Sequence, residues 1–190
     1  MMVEFFGLPG SGKSYIAEKE FGYVAKPFKS FVSRIKKYYL LAFYEALHPI
    51  RSAVFIIAII KETKHNRKLL LHKIKFLYFN AEAREMAASL KKNGIIEEGL
   101  VNYLLSLYER KILADDVRPL LKRIPKNRTI YIINADKKTR QKRMKDRNRT
   151  PRNSFGEDYL KKRQLILEHN FEVIKKLIKE TFTYKEIYNE

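Results

Sequence analysis

Apolar positions along the chain follow two patterns, short continuous runs and helical spacing. Val3 to Phe6 is a short apolar run ending at Gly7, and with Met2 it predicts a buried strand in spite of Glu4. Gly7 to Gly12 reads as a loop. Lys13 to Lys19 reads as a helix, with Ile16 and Ala17 placed to pack on a sheet. Phe21 to Phe28 has no single reading, because Gly22 and Pro27 interrupt it. Ser30 to Leu47 places Phe31, Ile35, Tyr38, Tyr39, Ala42 and Phe43 near the helical period, and His48-Pro49 ends it. Arg51 to Thr63 predicts another helix, and Arg67 to Lys91 one more, broken or continuous.

The second half repeats the alternation. Gly94 to Ile96 predicts a buried strand whose carboxyl end carries Glu97 and Glu98. Leu100 to Tyr108 resumes helical spacing, and Val117 to Leu121 reads as a short helix leading to Pro125. Arg128 to Asn134 contains Thr-Ile-Tyr-Ile-Ile, the strongest strand signal in the chain. Lys137 to Arg147 predicts a very basic helix, and Asn148 to Asp158 a loop with Pro151 and Gly156. Tyr159 to Glu180 predicts a long amphipathic helix, and Phe182 to Tyr188 a last strand. Strands alternating with helices predict an α/β fold: a parallel sheet of about four to five strands, covered by helices on both faces. No linker or repeat divides the chain, so residues 1–190 are expected to form one domain with a helical insert at about 28–92.

Composition narrows the class. The 190 residues include 45% hydrophobic and 32% charged, which excludes both a disordered tail and a membrane bundle. The longest apolar stretch, Ala53 to Ile60, is far short of the ~20 residues that span a bilayer. The segment Met1 to Phe6 lacks the basic start of a secretory leader, and cysteine is absent. Both fit a cytoplasmic protein. The formal charge of +19 fits a solvated lysine-rich surface, polyanionic substrates, nucleic acid or an anionic membrane surface, and does not choose among them.

The chemistry begins at Gly7-Leu8-Pro9-Gly10-Ser11-Gly12-Lys13-Ser14, a full G-x-x-x-x-G-K-[ST] loop between a strand and a helix. Its glycines let backbone N–H groups close on phosphate oxygens, and the helix start adds its positive end. Lys13 is expected to be loop-exposed and to reach the β- and γ-phosphates; Ser14 is expected to ligate Mg²⁺. Tyr15 follows on the same surface. The segment Val3 to Ser14 resembles the start of P-loop NTPases. Gly10-Ser11-Gly12-Lys13-Ser14, so early in a small chain, is similar to the small-molecule kinase branch that includes nucleoside, nucleotide and adenylylsulfate kinases.

Two further groups join this motif. A carboxylate at the end of the strand beside a P-loop can hold the Mg²⁺ shell or act as base on an acceptor hydroxyl. Glu97 is the better candidate, and Glu98 is expected to point the opposite way. The resembling kinases carry an acidic residue here, often followed by Arg; this chain has Glu97-Glu98. Arg140, Arg143, Arg147, Arg149 and Arg152 follow the best strand, and R-x-x-x-R-x-R at Arg143, Arg147 and Arg149 is similar to a nucleotide-kinase lid, spanning about 137–158 here. Arg143 and Arg147 would share a helix face and neutralise charge on the transferred phosphoryl group. Asn134 and Asp136 at the strand exit are expected chiefly to cap the next helix.

His48, His65, His72 and His169 show no metal-ligand spacing, so no zinc is expected. Glu82 and Glu85 read as a solvated helix face. Tyr38, Tyr39, Phe43 and Tyr44, with Lys36 and Lys37, read as core packing, an acceptor pocket or an interfacial surface. The resemblance implies a Mg²⁺-dependent enzyme moving the γ-phosphate of ATP, or GTP, to a nucleoside, nucleotide or sugar. A nucleotide-driven ATPase on nucleic acid, or a membrane-surface kinase for a glycan or lipid precursor, are the alternatives raised by charge.

Overall fold

The computed structural model describes residues 2–23, 44, 46–63, 66–89, 94–146 and 156–190. Strand β1 (Met2–Phe6) leads through the glycine loop into helix α1 (Lys13–Phe21). Helices α2 (Pro49–Thr63) and α3 (Arg67–Phe76) come next, then a π-helical segment (Leu77–Glu82) that runs into α4 (Ala83–Ser89). The expected helix from Arg67 is thus continuous to Ser89 with a π turn inside it. After it come strand β2 (Ile95–Ile96), α5 (Leu100–Leu107), α6 (Ala114–Leu121) and β3 (Arg128–Asn134). Helices α7 (Lys137–Asp146) and α8 (Glu157–Thr181) precede β4 (Thr183–Tyr188). Most of the expected helix at Ser30 to Leu47, with Lys36, Lys37, Tyr38, Tyr39 and Phe43, lies outside the described residues, as do His65, Arg147, Arg149 and Arg152.

The four strands form one sheet in the order β2-β1-β3-β4, all parallel. Phe6 sits opposite Ile132 and Asn134 opposite Tyr188. Alternation along the strands sends apolar side chains to two buried faces. Phe6, Ile130 and Ile132 meet α5, α6 and α8 in the larger core. Val3, Phe5 and Ile133 meet Ile16 and Ala17 of α1 in the smaller one. The chain therefore leaves β1 at Gly7 between the carboxyl ends of β2 and β3. Successive strands add to opposite sides of β1, and ligands of open α/β sheets bind at such a switch point.

Helix α5 shows how sequence dictates the interior. Its residues Leu100 to Leu105 and Leu107 are all buried, as expected of a helix apolar nearly all round. A buried helix cannot leave its terminal amides and carbonyls to water. Glu4 Oε1 accepts from Val101 N at 2.7 Å and Asn102 N at 3.3 Å at its start. At its end Lys73 Nζ donates to Ser106 O at 3.1 Å and to Leu107 O, and Arg163 donates to Leu105 O at 3.0 Å and to Tyr108 O. Carboxylate at the amino end and cations at the carboxyl end also match the helix dipole.

Glu4 is fully buried within β1 because Arg128 of β3 pairs with it at 2.7 Å, and with Glu85 at 2.5 Å. The sequence reading of Glu82 and Glu85 as a solvated face is corrected here: their exposures are 0% and 1%. Glu82 pairs with buried Arg51 at 2.7 Å. The π segment adds a residue to its turn and rotates the helix beyond it by about 100°, so an ideal helical wheel misplaces these carboxylates.

Candidate active site

The loop after β1 is anchored from below and shaped by two glycines. Gly7 N donates to Asn102 Oδ1 at 3.2 Å, and Ser11 N to Leu8 O at 3.1 Å. Gly10 has φ +80°, and a methyl there would lie 2.6 Å from Arg140 O. Gly12 has φ +88°, and a methyl there would lie 1.9 Å from Asn189 Nδ2. Both positions demand glycine twice over, for conformation and for space. Helix α1 starts at Lys13 with no side chain capping it, so its first amides are left for an anion.

Lys13 is 8% exposed, which corrects the expectation of an exposed side chain. Its ammonium donates to Gly7 O at 2.8 Å and Leu8 O at 3.3 Å, folded back against the loop. Ser14 and Tyr15 are exposed beside it. Ser14 Oγ donates to Glu97 Oε1, so the end of β2 and the first turn of α1 converge on one point. Glu98 turns the other way, 3.7 Å from Arg84. A hydroxyl and a carboxylate are hard oxygen donors, and Mg²⁺ takes one or two such protein ligands beside substrate phosphates. The pair therefore fits Mg²⁺. Among the described residues no cluster of three His, Asp or Glu side chains forms a metal site.

Arg143, from α7, does not point at open solvent. Its guanidinium donates to Asn189 O and Glu190 O, each at 3.3 Å. It lines a cleft of about 590 Å³ with Gly12, Tyr15, Lys19, Tyr188 and Asn189. Arg140 is instead buried and pairs with Glu168 at 3.1 Å. Asp136 caps α7 by accepting from Thr139 N at 2.9 Å, the role expected of it. Asn134 Oδ1 accepts from Lys175 Nζ at 3.1 Å.

Two side chains at the loop escaped the sequence reading. Asn102 is the lone amide in the apolar run Leu-Val-Asn-Tyr-Leu-Leu, a signal that was there to be read. Asn189 donates to Ser11 O at 2.9 Å, and nothing in its local sequence marks it. No helix among the described residues is long and apolar enough to cross a membrane.

No family model matches the chain, and no curated protein matches it. Solved structures do. Deoxyadenosine kinase from M. mycoides, with the products dCMP and a flexible dCDP bound, is similar at 20% identity over 98% of this chain and 90% of that one, with a TM-score of 0.52. The same kinase with bound dATP is similar at 18% identity over 99% and 91%, with a TM-score of 0.51. What these likenesses establish is the fold, a parallel P-loop α/β sheet wrapped by helices.

Proposed function

We propose that this chain is a Mg²⁺-dependent phosphotransferase that moves the γ-phosphate of ATP to a small-molecule acceptor of the nucleoside class. One observation carries the reading. The glycine loop, the Lys13 ammonium and the Ser14–Glu97 pair meet at the carboxyl edge of a parallel sheet. The shared fold with a deoxyadenosine kinase supports a nucleoside acceptor ahead of a nucleotide or sugar.

In this reading the loop Gly7 to Ser14, with Leu8, Pro9, Gly10, Ser11 and Gly12 between, wraps the β- and γ-phosphates, and the amides not bonded within the fold, from Gly12 to Ser14 above all, donate to them. Lys13 moves from the carbonyls of Gly7 and Leu8 to the phosphate oxygens as a point charge. Ser14 and Glu97 would hold Mg²⁺, which would supply positive charge against that of the phosphates. Glu97 also stands where an acceptor hydroxyl would give up its proton. Arg143, with Arg147 and Arg149 beyond the described residues, closes over the triphosphate as a lid spanning about 137–158. Tyr15 and the 590 Å³ cleft beside Gly12 give the base of ATP, or of GTP, a place to lie. The acceptor enters from the helical insert at about 28–92, within the single domain 1–190. Catalysis is then positioning and charge stabilisation rather than covalent chemistry. The +19 charge suits a triphosphate donor and a phosphorylated product alike.

The test is transfer from γ-labelled ATP with Mg²⁺ to a panel of nucleosides, nucleotides and sugars. Labelled nucleoside monophosphate is the expected product. Hydrolysis of ATP at a rate independent of every acceptor, with no labelled product, would overturn the reading.

A further inference from the structure

The Ser11 carbonyl is gripped from outside the phosphate loop. Asn189 Nδ2 donates to it at 2.9 Å. Asn189 is itself held on three sides. It is 8% exposed. Its main-chain N–H donates to Asn134 O at 2.9 Å, extending the β3–β4 ladder past the Asn134–Tyr188 pair. Its carbonyl accepts from Arg143 at 3.3 Å. The carboxamide therefore has little freedom to leave Ser11.

A trans peptide points its C=O and N–H in opposite directions. Fixing Ser11 C=O on the Asn189 side turns Gly12 N–H, the amide next to the uncapped start of α1, to the far side. The peptide is otherwise easy to flip, because Gly12 at φ +88° accepts either sign of φ at little cost. A flipped peptide would aim a carbonyl dipole at the triphosphate in place of a donor. The same hydrogen bond polarises the peptide and strengthens its N–H.

We infer that Asn189 is a positioning residue for phosphoryl transfer, locking the Ser11–Gly12 peptide with its N–H toward the phosphates. Arg143 ties α7 to the same point through the main chain of residues 189 and 190. The inference rests on the triphosphate reading of the loop and adds a residue that the loop motif does not contain.

The experiment measures binding of two probes by calorimetry on the full chain with Mg²⁺: ATP, and inorganic tripolyphosphate, which has no base. The variants are Asn189→Ala and Asn189→Asp; the second keeps the shape but offers no donor to Ser11. Loss of one such bond should weaken both probes about 5- to 30-fold and by the same factor, with melting temperatures within a few degrees of the parent. A purely structural role would move the melting temperature and leave folded-protein affinity alone. Weakening of ATP without weakening of tripolyphosphate would make Asn189 a contact to the base and overturn the inference. Affinities within twofold of the parent for both probes in both variants would overturn it too. Failure of the parent itself to bind tripolyphosphate, or binding indifferent to Lys13→Ala, would instead bring down the phosphate-loop reading beneath it.

Discussion

The hydroxyl of Ser14 donates to the carboxylate of Glu97, joining the start of α1 to the end of β2 across 83 residues of sequence. Ser14 belongs to the loop motif, but nothing local says that Glu97 is its partner. The sheet order puts β2 beside β1, and so puts Glu97 beside the loop that β1 feeds. The two carboxylates of Glu97-Glu98 are thereby separated, one facing Ser14 and the other Arg84.

That separation gives the first prediction. Glu97→Gln keeps the shape and removes the charge, and should lower the transfer rate about 10²- to 10³-fold while raising the Mg²⁺ concentration needed for half-maximal rate. Glu98→Gln should change the rate by less than about threefold, since Glu98 faces Arg84 at 3.7 Å and not the loop. Initial rates across a Mg²⁺ titration decide it. Equal losses in the two variants would remove Glu97 from the site.

Lys13 is held by the carbonyls of Gly7 and Leu8, and is not a free surface lysine. Lys13→Ala should abolish detectable transfer, a loss above about 10³-fold. It should also cost about 1–3 kcal/mol of stability, because two loop carbonyls lose their donor. A thermal melt and a single-turnover assay on the same preparation test both halves. Activity within a few-fold of the parent would remove the loop from the chemistry.

Gly10 couples the loop to α7. Gly10→Ala would set a methyl 2.6 Å from Arg140 O, a main-chain atom that cannot rotate away. Affinity for ATP should fall at least about tenfold, since the loop must shift to relieve the overlap. Gly22→Ala is the control: φ there is +60°, but nothing lies within 4 Å of the added methyl. It should cost about 1 kcal/mol in stability and leave ATP affinity unchanged. Calorimetric titration of both variants separates strain from collision.

The strands β1, β3 and β4, the glycine loop and α8 were legible because each is a local pattern: an apolar run, a fixed motif, a long 3.6-residue period. Their pairing was not. Register between Met2 and Arg128 joins segments far apart in the chain, and no local pattern encodes it. The misreading of Glu82 and Glu85 has the same root. Each looks solvated until Arg51 and Arg128, from other elements, arrive beside it. Lys13 looked exposed because a loop lysine usually is; the carbonyls that bury it come from the loop's own turn. Asn189 sits at the loop only through the β3–β4 ladder. The site's chemistry was written in the motif, and its supports were supplied by topology.

The buried trio of Glu4, Arg128 and Glu85 leads to the last prediction. One guanidinium faces two carboxylates, all three side chains buried. Burial, opposed by the attraction of Arg128 and helped by Glu85, pushes Glu4 up from its ordinary 4.5 to about 7. Between those values the native chain keeps a proton that the unfolded chain has released. The stability this proton confers is complete below about pH 4.5 and is lost as pH rises through about 7. The melting temperature should therefore fall between pH 5 and 8, by no more than the several degrees that about 3 kcal/mol implies. Glu4→Gln removes the titrating group while keeping an oxygen for Val101 N. Its melting temperature, subtracted from the parent's at each pH, should isolate a slope that descends toward pH 7 and then levels. Arg128→Leu should cost about 3–5 kcal/mol at neutral pH, because it strands both carboxylates. That loss should shrink as pH falls and Glu4, freed of the attraction of Arg128, takes up its proton. A difference curve that stays flat from pH 5 to 8 would mean that Glu4 is ionised throughout and that Arg128 alone settles its charge.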